Sequence, residues 1–165
     1  MDHADRGLTL VNASTYLERV ARALRTARLD AILVGNAAAA IQGAPVSTLD
    51  FDFLIRDTPR SSAKIRAFAR ALSASAVVPY EGVSRMVRVT SGEIQVDLLP
   101  RLYGVRSSFE SLRSRSISVR VGSETVRVAS LEDVLKSKRA AGRPKDLAVL
   151  PILEDTLREK NKREA

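Results

Sequence analysis

Apolar and polar positions along this chain alternate with two different periods. Between Ser14 and Thr26, Leu17, Val20, Ala21 and Leu24 recur at helical spacing with Arg and Glu between them, which predicts an amphipathic helix capped by Asn12 or Ser14. Ala31 to Val34 predicts a short buried strand ended by Gly35, and the alanine-rich NAAAAIQG predicts a short helix from Asn36 to near Gly43. A turn over Gly43 to Pro45 leads into STLDFDFLIR, a strand from about Thr48 to Ile55. Ser61 to Ser73 returns to the helical period, with Ile65, Phe68, Ala69 and Leu72 inward.

The period of two then takes over. Strands are predicted near Val77, at Met86 to Thr90 and at Glu93 to Leu98, the last two joined by an SGE hairpin turn. Two further alternating runs, Ile117 to Val121 and Thr125 to Val128, meet at Gly122 and Ser123. Ser130 opens a helix to about Ala140, with Asp133 at the third helical position in a capping-box pattern. Gly142 interrupts it, Pro144 suits a first helical turn, and a final helix runs to about Lys160. The expectation is an α/β (α+β) fold: a mixed β-sheet flanked by helices in residues 1–128, with a C-terminal helical segment, residues 129–165, packed on it as one compact unit.

Composition narrows the chemistry. At 165 residues and 45% hydrophobic, the chain can bury a core of its own. It has no cysteine, which excludes disulfides, thiolate metal sites and cysteine nucleophiles. The single histidine, His3, falls in a polar N-terminal stretch and reads as a surface residue rather than a base. Carboxylates and cations must therefore carry any reaction. No apolar run approaches the roughly 20 residues needed to cross a bilayer, and MDHADRGLTL lacks the layout of a signal peptide, so the expected location is the cytoplasm with no membrane partner. The net charge is +8, and between Arg101 and Lys145 eleven Lys/Arg face four Asp/Glu. That surplus suits a polyanion such as RNA or a nucleoside triphosphate, or else a solvated cationic surface.

Against this background the stretch LDFDFLI stands out. Asp50 and Asp52 are two apart on a predicted strand and so share a face, while Phe51, Phe53 and Ile55 take the other. Parallel carboxylates repel unless a cation lies between them, and magnesium commonly takes one or two carboxylates with phosphate and water. With ten aspartates in the chain such a pair arises readily by chance, so context decides. Asp97 shares the polar face of its strand with Glu93 and Gln95. If that strand lies beside the Asp50 strand, three carboxylates converge; the alternative is an ordinary solvent-facing surface. Gly35 and Asn36, at a strand-to-helix turn, supply the glycine and open N–H groups that suit an anion, or simply a tight turn.

These residues together resemble the nucleotidyltransferase superfamily. VGNAAAAIQG, STLDFDF and IQVDLL are similar to its glycine-rich turn, short helix, Asp-x-Asp strand and later third acid, over about Ala31 to Pro100. SLEDVLKSKRAAGRPKDLAVLPIL is similar to the C-terminal motif of abortive-infection type nucleotidyltransferase toxins and their bacterial relatives, with Asp133, Lys136, Arg143, Lys145 and Asp146 at the matching positions. The chain departs from the pattern at Asn36, which stands where a second Gly or a Ser is usual. It departs again at Val46, in place of a basic residue, and at Val149, in place of an acid.

The resemblance implies a polymerase-beta-like fold and a two-metal mechanism with Mg2+ or Mn2+. Asp50, Asp52 and Asp97 would be catalytic and metal-binding, while Gly35, Asn36, Lys136, Arg143 and Lys145 would bind the nucleotide. The three cations otherwise lie on a solvated helix face, and Asp133 is as well explained as a helix cap. The implied activity is transfer of a nucleoside monophosphate from a triphosphate to a hydroxyl acceptor, with RNA or a tRNA end tried first and protein next. The alternative is a non-catalytic relative that binds nucleotide, RNA or a toxin or antitoxin partner. Aromatic residues are only 4% of the chain, so RNA contacts would be mainly electrostatic.

Overall fold

The computed structural model describes residues 3–48, 50–79 and 81–165, with side chains described from Ala13 onward. The elements run α1 (His3–Ala27), β1 (Ala31–Val34), α2 (Gly35–Ile41), β2 (Asp50–Ile55), α3 (Ser61–Ala71), β3 (Ser75–Val77), β4 (Val87–Ser91), β5 (Ile94–Leu99), α4 (Phe109–Arg115), β6 (Ile117–Val121), β7 (Glu124–Val128), α5 (Leu131–Ala141) and α6 (Pro144–Glu164). The strands among the described residues form one sheet of seven in the order β3-β4-β5-β2-β1-β7-β6. β2 pairs parallel with β5 and β1 parallel with β7, and the other neighbours are antiparallel. The expected mixed sheet flanked by helices is therefore the fold.

Alternation along β2 sorts the two sides of the sheet. Phe51, Phe53 and Ile55 are buried, and Phe53 faces the side where α1 sets Ala21 and Leu24. Leu17, Val20, Ala21 and Leu24 are all buried, as their helical spacing predicts, and α1 packs with α3 through the layer that holds Phe68 and Ala69. The opposite side carries α2 and α5, and Asp50 and Asp52 open into the space between them. Leu153 of α6 is fully buried in the same core, which ties the last helix to the rest.

Several boundaries differ from the pattern-based expectation. α1 begins at His3, so Asn12 and Ser14 lie within it and neither caps it; the described side chains do not include His3 or Asn12. β2 begins at Asp50 rather than Thr48, whose hydroxyl instead donates to the Asp50 carbonyl at 2.6 Å. α4 was not expected: it has only seven residues, too few for a helical period to register, and is fixed by Ser108 Oγ accepting from Ser111 N at 3.1 Å. At α5 Ser130 Oγ accepts from Asp133 N at 3.2 Å, but the reciprocal half of the capping box is not made. The Asp133 carboxylate instead accepts from Arg115 Nε and Nη2 at 3.0 and 3.1 Å. α6 continues to Glu164 through an internal Pro151. Among the described residues no helix is long and apolar enough to cross a membrane.

Candidate functional site

One row of residues crosses the sheet at the level of the acids. In register order it reads Arg88 on β4, Asp97 on β5, Asp52 on β2 and Val34 on β1. Registered neighbours in a sheet project to the same side, so Asp97 and Asp52 leave the surface next to each other, and Asp50 joins them two residues along β2. Val34 ends β1, and Gly35 turns the chain directly into α2.

Gly35 has φ +68, and a Cβ built there would lie 2.9 Å from Asp52 Oδ2. Only a residue without a side chain allows the backbone this close to the carboxylate in this conformation. Asn36 follows in the first turn of α2, where Val34 provides no side-chain cap, and the buried Oδ1 of Asn36 has no hydrogen-bond partner.

Asp52 is largely buried, and its pKa is pushed up to about 6. Burial is the main cause, the nearby charges of Asp97 and Asp50 add to it, and Lys138 and Lys145 act in the opposite sense. Asp97 is only 7% exposed, and its two oxygens accept from Arg88 Nε at 2.8 Å and Nη2 at 3.0 Å. This bidentate pair takes both faces of the third acid.

Beyond the acids opens a cleft of about 1030 Å³ whose far wall is cationic. α5 lines it with Val134, Ser137, Lys138 and Ala141, the i, i+3, i+4, i+7 positions of one helix face. Lys136 lies off that stripe, exposed and outside the cleft wall, and Lys138 takes the position toward the acids. Arg143 and Lys145, at the start of α6, also line the cleft. Asp146, 1% exposed, holds this wall together: it accepts from Arg143 Nε at 2.6 Å and Nη2 at 3.2 Å, and from Lys138 Nζ at 3.5 Å. Burial pushes the Asp146 carboxyl up, but the bond and charge of Arg143, with Lys138, outweigh it and leave its pKa lowered. The Asp146 bond raises Arg143 correspondingly.

The structure thus brings Asp50, Asp52, Asp97, Gly35, Asn36, Arg143 and Lys145 to one cleft and leaves Lys136 and Asp133 outside it. Val46 and Val149, where the sequence departs from the motif, pack against the apolar core. Arg88, Lys138 and Tyr103 line the cleft without having been singled out from the sequence; Tyr103 is 68% exposed at its rim.

Asp50 and Asp52 fit a hard divalent cation. They offer oxygen donors on one face, and Asp52, its pKa raised first by burial and then by the charges of Asp97 and Asp50, is a carboxylate whose charged form a bound cation would stabilise. The three acids do not form a common ligand cage: among the described residues no group of three His, Asp or Glu side chains is arranged to hold a metal ion. Both oxygens of Asp97 are bonded to Arg88.

Comparison with solved structures places the architecture. The antibiotic-resistance factor ANT(2'')-Ia in solution is similar with a TM-score of 0.64 at 13% identity, over 89% of this chain and 85% of that one. The same factor in complex with adenylyl-2''-tobramycin gives 0.60 at 12% identity, over 93% and 99%. A Thermotoga maritima protein whose name places it among the nucleotidyltransferases gives 0.58 at 20% identity, over 89% and 91%. Neither a family model nor a curated protein sequence matches the chain. At these identities the likeness is one of fold, and the fold is that of the nucleotidyltransferases.

Proposed function

We propose that this chain is a metal-dependent nucleotidyltransferase that moves a nucleoside monophosphate from a triphosphate to a hydroxyl acceptor. The observation that carries the reading is the buried Asp52, flanked by Asp50 and Asp97 and facing a cationic wall across an open cleft. Asp50 and Asp52 would hold Mg2+, or Mn2+ in its place, and the ion when bound would draw off phosphate charge and orient the triphosphate. Gly35 and Asn36 would stand beside the β- and γ-phosphates. Lys138, Arg143 and Lys145 would balance the remaining charge from the far wall, with Lys136 reaching only a larger acceptor from its exposed position. The acceptor hydroxyl would release its proton to solvent as its oxygen bonds the α-phosphorus, while the bond from that phosphorus to the oxygen it shares with the β-phosphate breaks and pyrophosphate leaves. Asp97, the third acid of this reading, would lie beside the acceptor hydroxyl.

The surplus of cations between Arg101 and Lys145 supports RNA, with a tRNA end tried first, as the acceptor in a cytoplasmic setting. Protein is the next acceptor to try. The test is incubation with labelled triphosphates, Mg2+ and total RNA or protein. Label that passes to one fraction and is lost with Asp50→Asn supports the reading. No transfer in any pairing, with wild type and Asp50→Asn alike, removes it. One observation favours a second reading, a non-catalytic relative that binds nucleotide, RNA or a toxin or antitoxin partner: the closure of Asp97 by Arg88.

A further inference from the structure

We infer that Arg88 is a built-in counter-ion for the third acid, standing in for one of two divalent ions, so that the resting protein takes a single ion on Asp50 and Asp52 and Asp97 contributes nothing to it. This rests on the reading of Asp50 and Asp52 as a metal site.

The geometry is specific. Arg88 and Asp97 are directly opposed on the antiparallel strands β4 and β5, so the backbone itself holds the pair together. The planar guanidinium meets the carboxylate edge to edge, one nitrogen to each oxygen, at 2.8 and 3.0 Å. The Asp97 side chain is 10% exposed, at the wall of the cleft. Magnesium-type ions demand near-ideal oxygen geometry, and a carboxylate already accepting two charge-assisted bonds is a poor ligand for them. Asp52, by contrast, sits in the same row with no guanidinium among the described residues bonded to it. The sheet therefore sets an occupied acid beside an open one.

The test is Mn2+ binding to the full chain without nucleotide, followed by the paramagnetic resonance of free Mn2+. Wild type is expected to bind one ion per chain, weakened at least about tenfold by Asp50→Asn. Removing the pair together, in Arg88→Met combined with Asp97→Asn, changes no net charge and should leave affinity and stoichiometry within about twofold of wild type. Arg88→Met should gain a second ion, or bind the first at least about tenfold more tightly, and adding Asp97→Asn should abolish that gain. Arg88→Met strands a buried carboxylate, so if it fails to fold the decision rests on the double variant, which strands none. Two ions on wild type, a tenfold loss in the double variant, or no gain in a folded Arg88→Met would each overturn the inference while leaving the metal site standing. Absence of Mn2+ binding to every variant would overturn the metal site and this inference together.

Discussion

Gly35 and Asp52 are in close approach: the turn that ends β1 passes the Asp52 carboxylate with room for a hydrogen but not for a methyl group. Gly35→Ala should destabilise the protein by about 1–3 kcal/mol through the left-handed backbone alone, and further through contact with Oδ2. Urea unfolding compared with wild type checks this; an unchanged midpoint would show that the turn relaxes freely.

Asp52 should make the protein more stable in acid. Its folded pKa of about 6 lies above the ordinary 3.8, so between these values the folded state holds a proton that the unfolded state has released. Its contribution to stability is fully present below pH 3.8, falls as pH rises, and is lost above about pH 6. The loss amounts to about 2–3 kcal/mol. Asp52→Asn lacks this slope, so its stability relative to wild type should rise as pH goes from 4 to 7, about as far as that loss allows. Urea midpoints across the range read it directly, and a constant difference between the two proteins would contradict the assignment. At neutral pH millimolar Mg2+ should raise the unfolding midpoint of wild type and not that of Asp52→Asn.

Lys138 and Lys136 separate the cleft from the solvated helix face. Lys138→Met should weaken triphosphate binding about tenfold, because its charge faces the acids across the cleft, whereas Lys136→Met should change it less than about twofold. Parallel titrations of the two variants decide; equal losses would place both lysines at the nucleotide.

Much of this site was legible because strands alternate with an invariant period. Asp50, Asp52 and Asp97 each fell on the polar positions of their runs, and the structure puts all three on one side. That β2 and β5 are neighbours was not legible, since a parallel pairing depends on long-range packing and leaves no local signal. Arg88 was within reach. The β4–β5 hairpin pairs Ser91 with Ile94, and counting back from that turn brings Arg88 to Asp97. Lys138 was also within reach, by following the apolar stripe of α5 from Val134 through four residues. The first eleven residues of α1 were not: His3 to Ala13 carries too sparse an apolar repeat to mark a helix. The net charge was plain from composition, whereas the inward turn of Asp133 toward Arg115 needed the unexpected α4.

Calorimetric titration of each nucleoside triphosphate, with and without Mg2+, decides whether this chain is a metal-dependent nucleotidyltransferase. At least one triphosphate should bind wild type only when Mg2+ is present, and Asp50→Asn should abolish this dependence. Binding that is indifferent to Mg2+ and to Asp50→Asn, or no binding of any triphosphate, would contradict it.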